Sequence, residues 1–255
     1  MERAGGTTSP RLTLVGVGPG DPELLTVAAV RAIAAAQVVA YPVPRPDGEG
    51  MALRIAAPWL SPGQRRLPIW LPMVAEAEPR IRAWRAAADV LASEVAAGHG
   101  VVLLCEGDAS LYASCSYVLL ALARRHPACG VRVVPGISAV SAAAAAVSGQ
   151  RFAWPLALQR EGLLIRPTPE TEEELEALLE WAGGTHCVLA LLKLGHRWPW
   201  VRGLLERRGL LEQALFARRV GWDDQLLEPA LMVRAEEQPY FSLVLIRQSW
   251  PEVLP

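Results

Sequence analysis

The sequence predicts an α/β protein built from two α/β domains. Short apolar runs in the first half end in glycine turns, and each turn leads into a helical pattern. That strand–turn–helix alternation is the signature of a largely parallel sheet. The second half closes on strand-like segments with short spacers, which implies a mixed or antiparallel sheet. A chain of 255 residues with 52% hydrophobic content has material for two cores of moderate size.

Residues 1–10 read as a loose tail. The first domain spans 11–150, with strands expected near 12–17, 38–41, 67–71, 101–105 and 131–134. Its helices are expected near 23–36, 80–97, 112–125 and 139–148. Gln150-Arg151-Phe152-Ala153-Trp154-Pro155 breaks the pattern and crosses to the second domain, 151–255. There an acidic helix over Glu170–Trp181 is capped by Thr168 or Thr171. A strand at 186–192, a helix at 199–208 and strands near 215–220, 230–234 and 241–247 follow.

The glycine turns carry the functional signal. Gly16-Val17-Gly18-Pro19-Gly20-Asp21 follows the run Leu12-Thr13-Leu14-Val15. Glycine lets backbone approach a ligand, because no Cβ stands in the way. The turn is not a dinucleotide fingerprint: the sixth position is Asp21, and Pro19 removes an N–H where a pyrophosphate needs donors. The second expected strand ends in Tyr41-Pro42 rather than in the acidic residue a ribose requires. Two more turns repeat the design: Glu106-Gly107-Asp108-Ala109-Ser110-Leu111-Tyr112 and Pro135-Gly136-Ile137-Ser138-Ala139. Ligands of open α/β sheets bind at the carboxyl ends of the strands, so three such turns point to one crevice.

Composition narrows the function classes. Net charge is −1, which gives no basic field for nucleic acid and no polybasic membrane surface. Cys105, Cys115, Cys129 and Cys187 contain no C-x-x-C and read as reduced thiols of a cytoplasmic protein. The four histidines form no metal-ligand pair, so no metal is expected. Residues 1–10 hold no apolar leader, and no apolar run reaches the ~18 residues of a membrane span. Lys193 is the only lysine among 25 basic residues, and it ends the apolar run that starts at Cys187.

The segments G-V-G-P-G-D-P-E-L-L-T, C-E-G-D-A-S-L-Y and V-P-G-I-S-A resemble the tetrapyrrole methylases. These are S-adenosylmethionine-dependent enzymes of sirohaem and cobalamin synthesis. Leu191-Leu192-Lys193-Leu194-Gly195, Ala217-Arg218-Arg219 and Pro239-Tyr240-Phe241-Ser242-Leu243 resemble the members that methylate C20 of precorrin-2. The resemblance covers about residues 11–247. It implies a donor site in the cleft between the domains, lined by Pro19, Glu106, Gly107, Asp108, Leu111, Ser138 and Ala139, with Lys193, Ala217 and Ser242 from the second half. It implies a tetrapyrrole acceptor and a homodimer. Other ring positions, or uroporphyrinogen III, are alternative acceptors within the family. A nucleotide-dependent oxidoreductase and a non-catalytic binding protein are the alternatives outside it.

Methyl transfer is an in-line displacement that needs positioning and no protein nucleophile. A base that takes a proton from the macrocycle would help. Asp108 is the candidate catalytic residue, either as that base or as a group that orients the donor. Glu106 is a second candidate base or a helix cap. Arg45, Arg54, Arg65 and Arg66, between the second and third expected strands, are candidates for the acceptor's carboxylates. Trp198 and Trp200 either stack on a flat ring or pack in the core. Ala109 and Ala113 depart from the family's usual proline and glycine at those positions.

Overall fold

The computed structural model describes residues 11–147 and 154–251. The 1–10 tail and residues 150–153 of the crossing segment lie outside the described residues. By internal contacts the chain divides into two units between Ser138 and Ala139.

In the first unit, five apolar runs become β1 (Leu12–Gly16), β2 (Val38–Val43), β3 (Arg65–Trp70), β4 (Val101–Cys105) and β5 (Val131–Val134). All pair in parallel, in the order β3-β2-β4-β1-β5. A parallel strand covered on both faces needs apolar side chains on both, so β1 and β4 read as near-continuous runs and are buried throughout. Adjacent strands β4, β1 and β5 end level: Gly16 stands opposite Cys105, and Val15 opposite Val134. The three glycine turns therefore leave neighbouring strands side by side.

Helices α1 (Val27–Ala35), α2 (Met51–Ala56), α3 (Ala77–Ala96) and α4 (Ser114–Arg125) connect the strands. Helices α3 and α4 pack Ala88, Leu91, Val118 and Leu122 with Leu12, Leu14 and Leu103 in one core. The helix expected over 23–36 is two pieces. Asp21 accepts a hydrogen bond from the Glu23 N–H at 2.8 Å and starts a short turn over Pro22–Leu24. Thr26 is extended, and its Oγ1 accepts from the Ala29 N–H at 3.1 Å, so α1 starts only there.

Helix α2 was not expected. It carries Arg54 and buries Ala52, Ile55 and Ala56, a short apolar stripe that follows the turn residues Pro44–Gly50. Arg65 and Arg66 do not lie between strands; they open β3 at its amino end, and Arg65 pairs with Glu94 of α3. In a parallel sheet that end is opposite the glycine turns. Arg54 pairs with Glu49 at 3.6 Å, and Arg45 is exposed.

The second unit contains α5 (Ala139–Ala146), β6 (Gly162–Pro167), α6 (Glu172–Gly184), β7 (Cys187–Leu192), α7 (Trp198–Arg207), β8 (Ala214–Arg218), β9 (Leu226–Pro229) and β10 (Ser242–Ile246). Its sheet runs β6-β7-β10-β8-β9. The β6/β7 pair is parallel and the other pairs are antiparallel, a mixed sheet as expected. Thr171 caps α6, accepting from the Glu174 N–H at 3.3 Å. The Thr168 hydroxyl instead donates to the Leu192 carbonyl at 2.8 Å.

Two elements differ from expectation. Edge strand β6 is bracketed by Gly162 and Pro167, which masks it as a loop in sequence. The strand expected at 230–234 is a short turn over Ala230–Met232, and the strand is β9 just before it. Pro229 ends that ladder, because proline has no N–H to continue it. Trp198 is fully buried, donates to the Arg234 carbonyl at 2.9 Å and packs on Phe216, so it is a core residue.

One buried ion pair locks the end of β10. Arg247 is 1% exposed and pairs with Glu161, which also accepts from the Leu158 N–H at 2.7 Å. The guanidinium lies 5.4 Å from the Trp154 ring and 4.2 Å from the Trp250 ring. Removing one partner strands the other charge without water. Glu161→Ala is expected to lower unfolding free energy by about 3–5 kcal/mol in urea titration.

Candidate functional site

Three glycines bring the turns of the first unit into backbone contact. A Cβ on Gly136 would stand 2.2 Å from the Gly107 carbonyl oxygen and 2.8 Å from the Gly16 carbonyl carbon. A Cβ on Gly16 would meet the Gly136 nitrogen at 2.6 Å. Gly18 and Gly107 exchange both backbone hydrogen bonds, N–H to O, at 3.2 and 2.8 Å. The first turn is thereby stitched to the second. Gly107 is left-handed, at φ +67°, and its missing side chain would point into open space. The neighbouring backbone is thus open to a ligand on that side.

Asp108 stitches the second turn to the third. One carboxylate oxygen accepts from the Gly136 N–H at 2.9 Å. The other accepts from the Ser110 N–H at 2.8 Å and from the Ser110 hydroxyl. Burial pushes its carboxyl up, but the bonds from Ser110 and Gly136 outweigh that and hold it below its ordinary value.

Glu106, two residues earlier, is in the opposite condition. Burial pushes its carboxyl above the ordinary value, against its own N–H and that of Ala52. It accepts from the Ala52 N–H at 3.1 Å and so caps α2 from across the sheet, not the helix that follows it. Leu111 closes the same turn, its N–H donating to the Asp108 carbonyl at 3.3 Å. Tyr112 is next, left-handed at φ 52° without being glycine.

The second unit holds a second interlocked pair of turns. Lys193 follows β7 at φ 61° and Gly195 is at φ 54°. The Ser242 hydroxyl accepts from the Gly195 N–H at 3.4 Å and donates to the Pro239 carbonyl at 2.6 Å. The Gln238 N–H donates to the Gly195 carbonyl at 3.1 Å, and the Lys193 ammonium sits 5.6 Å from the Tyr240 ring. A Cβ on Gly195 would point into open space.

A family model, Tetrapyrrole (Corrin/Porphyrin) Methylases, matches residues 11–232. The chain belongs to the tetrapyrrole methylases. It is 37% identical over 240 residues to the cobalamin biosynthesis protein CobIJ of Mycobacterium tuberculosis, covering 91% of this chain and 45% of that one. The chain thus spans about half the length of the first curated relatives it matches. It is 33% identical over 244 residues to a precorrin-2 C(20)-methyltransferase of Sinorhizobium sp, covering 92% and 94% of the two chains. Among solved structures, the methyltransferase CobJ superposes with a TM-score of 0.65 at 23% identity, covering 94% of each chain. A uroporphyrin-III C-methyltransferase of Thermus thermophilus, complexed with S-adenyl homocysteine, superposes with 0.58 at 24% identity, covering 93% and 97%. These two likenesses show the methylase fold.

Within the first unit, Pro19, Glu106, Gly107, Asp108 and Leu111 lie in the stitched turns, and Ser138 follows Gly136 by two residues. Ala139 begins α5. Within the second unit, Lys193 opens the turn whose Leu194 and Gly195 N–H groups donate to Ser242. Ala217 is buried in β8, flanked by Leu243 of β10 and Leu227 of β9. Among the described residues no group of three or more His, Cys, Asp or Glu is placed to hold a metal, and no helix is long and apolar enough to cross a membrane.

Sequence reasoning missed three contributors. Gly136 was read as part of a turn that lets backbone approach a ligand, whereas what it approaches is the Gly107 backbone. Tyr240 was visible only as part of P-Y-F-S-L. Gln238 is 5% exposed, and its side-chain oxygen has no hydrogen-bond partner among the described residues; nothing in its sequence context marks it.

Gly136→Ala forces backbone apart, so it should cost about 1–3 kcal/mol of stability in urea titration. Glu106 carries a pH signature. Its folded-state pKa is raised, so its contribution to stability is intact below the ordinary value of about 4.5 and lost as pH rises through the folded-state value. Glu106→Gln should therefore gain stability over wild type as pH rises from 4.5 to 7, and equal it below that range, in melts across pH.

Proposed function

We propose that this chain transfers a methyl group from S-adenosylmethionine to C20 of precorrin-2 or of its cobalt form. The observation that carries the reading is the stitched set of glycine turns, in a chain similar over nearly its whole length to a precorrin-2 C(20)-methyltransferase. The Salmonella typhimurium relative, 28% identical over 242 residues, is named for cobalt-precorrin-2, so both metal states of the acceptor belong to the proposal.

The donor supplies an electrophilic sulfonium methyl, whose sulfur keeps the bonding pair as the ring carbon takes the methyl. The chain's own residues hold and orient. Open space beside left-handed Gly107 and Gly195 gives each unit backbone that a ligand can approach. In this reading Pro19, Glu106, Gly107, Asp108, Leu111, Ser138 and Ala139, together with Lys193, Ala217 and Ser242, serve the donor. Ala217, being fully buried, would serve by shaping β8.

Asp108 works here as a positioning group rather than as a base. Both of its oxygens are taken by turn N–H and O–H donors, and a carboxylate held below its ordinary value takes protons poorly. The homodimer and the cytoplasmic location stay part of the proposal. A single mass twice that of the 27.6 kDa chain in light scattering would support the dimer, and a monomer mass at all micromolar concentrations would refute it.

Incubation with precorrin-2 or cobalt-precorrin-2 and labelled donor should place the label on C20 by NMR. Label at another ring carbon, or none, would overturn the activity. Asp108→Asn should weaken S-adenosylhomocysteine binding by about tenfold or more, the worth of a charged hydrogen bond. Saturating donor should then restore most of kcat. A fall in kcat of about 100-fold with donor affinity unchanged would make Asp108 the base instead.

A further inference from the structure

The first unit has a concave feature at the end of its sheet opposite the glycine turns. A groove of about 490 Å³ is bounded by the starts of β1, β4 and β5, the turn at Gly98–Gly100 and the last turns of α1. That volume lies within the range of small-molecule sites. We propose that it is a binding site for a small multivalent oxyanion, phosphate- or carboxylate-bearing, distinct from the methyl-transfer site and independent of the function proposed above.

Strand register assembles it. Thr13 of β1 stands opposite Val102 of β4 and Arg132 of β5, and partners across a parallel ladder share a face. Arg11, two residues before Thr13, has the same parity. Helix α1 contributes Ala28, Arg31, Ala32 and Ala35, the i, i+3, i+4, i+7 stripe of one helical side. Small alanines leave the groove open between Arg31 on the helix and Arg11 and Arg132 on the sheet.

The polar lining is donor-rich and carries no acid. Asp and Glu are absent from the groove's described lining, which includes three arginines. The side chains of Arg11, Arg31 and Arg132 have no hydrogen-bond or ion-pair partner among the described residues, whereas ten other arginines make ion pairs. Guanidinium forks match the oxygens of phosphate and carboxylate.

Thr13 is the independent observation. The residue is 8% exposed and interrupts the apolar run Leu12–Val15, and its hydroxyl makes no hydrogen bond to the described residues. A hydroxyl set among apolar neighbours and opening on a groove is a donor that a bound oxygen can use.

One feature opposes an anion: the carboxyl end of α1 carries partial negative charge. Gln64 blunts it, its amide donating to the Ile33 and Ala36 carbonyls at 2.6 and 2.8 Å. Three cations outweigh what remains.

Calorimetric titration of the full chain with pyrophosphate, and separately with citrate, tests the site. Saturable one-to-one binding of either is expected, weakening as salt rises. The anion that binds tells whether phosphate or carboxylate is the natural group. The double variant Arg31→Gln/Arg132→Gln, both exposed positions, should weaken it at least about tenfold, and Thr13→Val about fivefold. S-adenosylhomocysteine binding should stay unchanged in all variants, which separates this site from the donor site. No saturable binding of either anion, or equal binding by wild type and the arginine variant, overturns the proposal.

Discussion

The site depends on three glycines standing backbone against backbone at the ends of adjacent parallel strands. A Cβ on Gly16 or on Gly136 would collide with the backbone of the neighbouring turns, the Gly107 carbonyl included. That contact fixes the spacing of the three turns before any side chain acts. The strands deliver it because their carboxyl ends are level, and they are level because the parallel register sets Gly16 against Cys105 and Val15 against Val134. Asp108 then ties the third turn to the second through one carboxylate oxygen, while Ser110 of its own turn holds the other.

Two carboxylates two residues apart meet opposite environments. Asp108 faces backbone and hydroxyl donors and is held ionised; Glu106 faces burial with few donors and is pushed toward its neutral form. The period-two alternation at a strand end does not separate them, since positions two apart share a face. What separates them is the turn at Gly107, which redirects the chain between one and the other. Side chains of one loop thus serve as a structural tie and as a helix cap, and their titration follows those roles.

Each unit keeps its own set of strained positions at its loops. Tyr112, Lys193 and Arg219 are left-handed without being glycine, and each belongs to a segment that resembles the family. Such residues persist only where surrounding hydrogen bonds overdetermine them. The Ser242, Gly195 and Pro239 bonds do this for the turn after β7. In the first unit, the two ends of one parallel sheet differ in character: glycine backbone at the carboxyl end, arginine side chains at the amino end.

The sequence by itself determined the fold class, most strand positions, the three glycine turns and the family. Apolar run length, turn residues and contiguous motifs are local signals, and they survive without coordinates. It placed Glu106, Asp108, Lys193 and Ser242 in candidate loops but could not assign what each touches. It missed α2, β6 and β9, because a short helix after turn residues and strands ending in proline give little periodicity. Only tertiary structure set Gly136 against Gly107, gave Asp108 to Gly136, sent Glu106 to α2, and moved Arg65 and Arg66 to the far end of the sheet. Those facts rest on contacts between residues distant in the chain, and their partners are set by strand order and register, which no local pattern encodes.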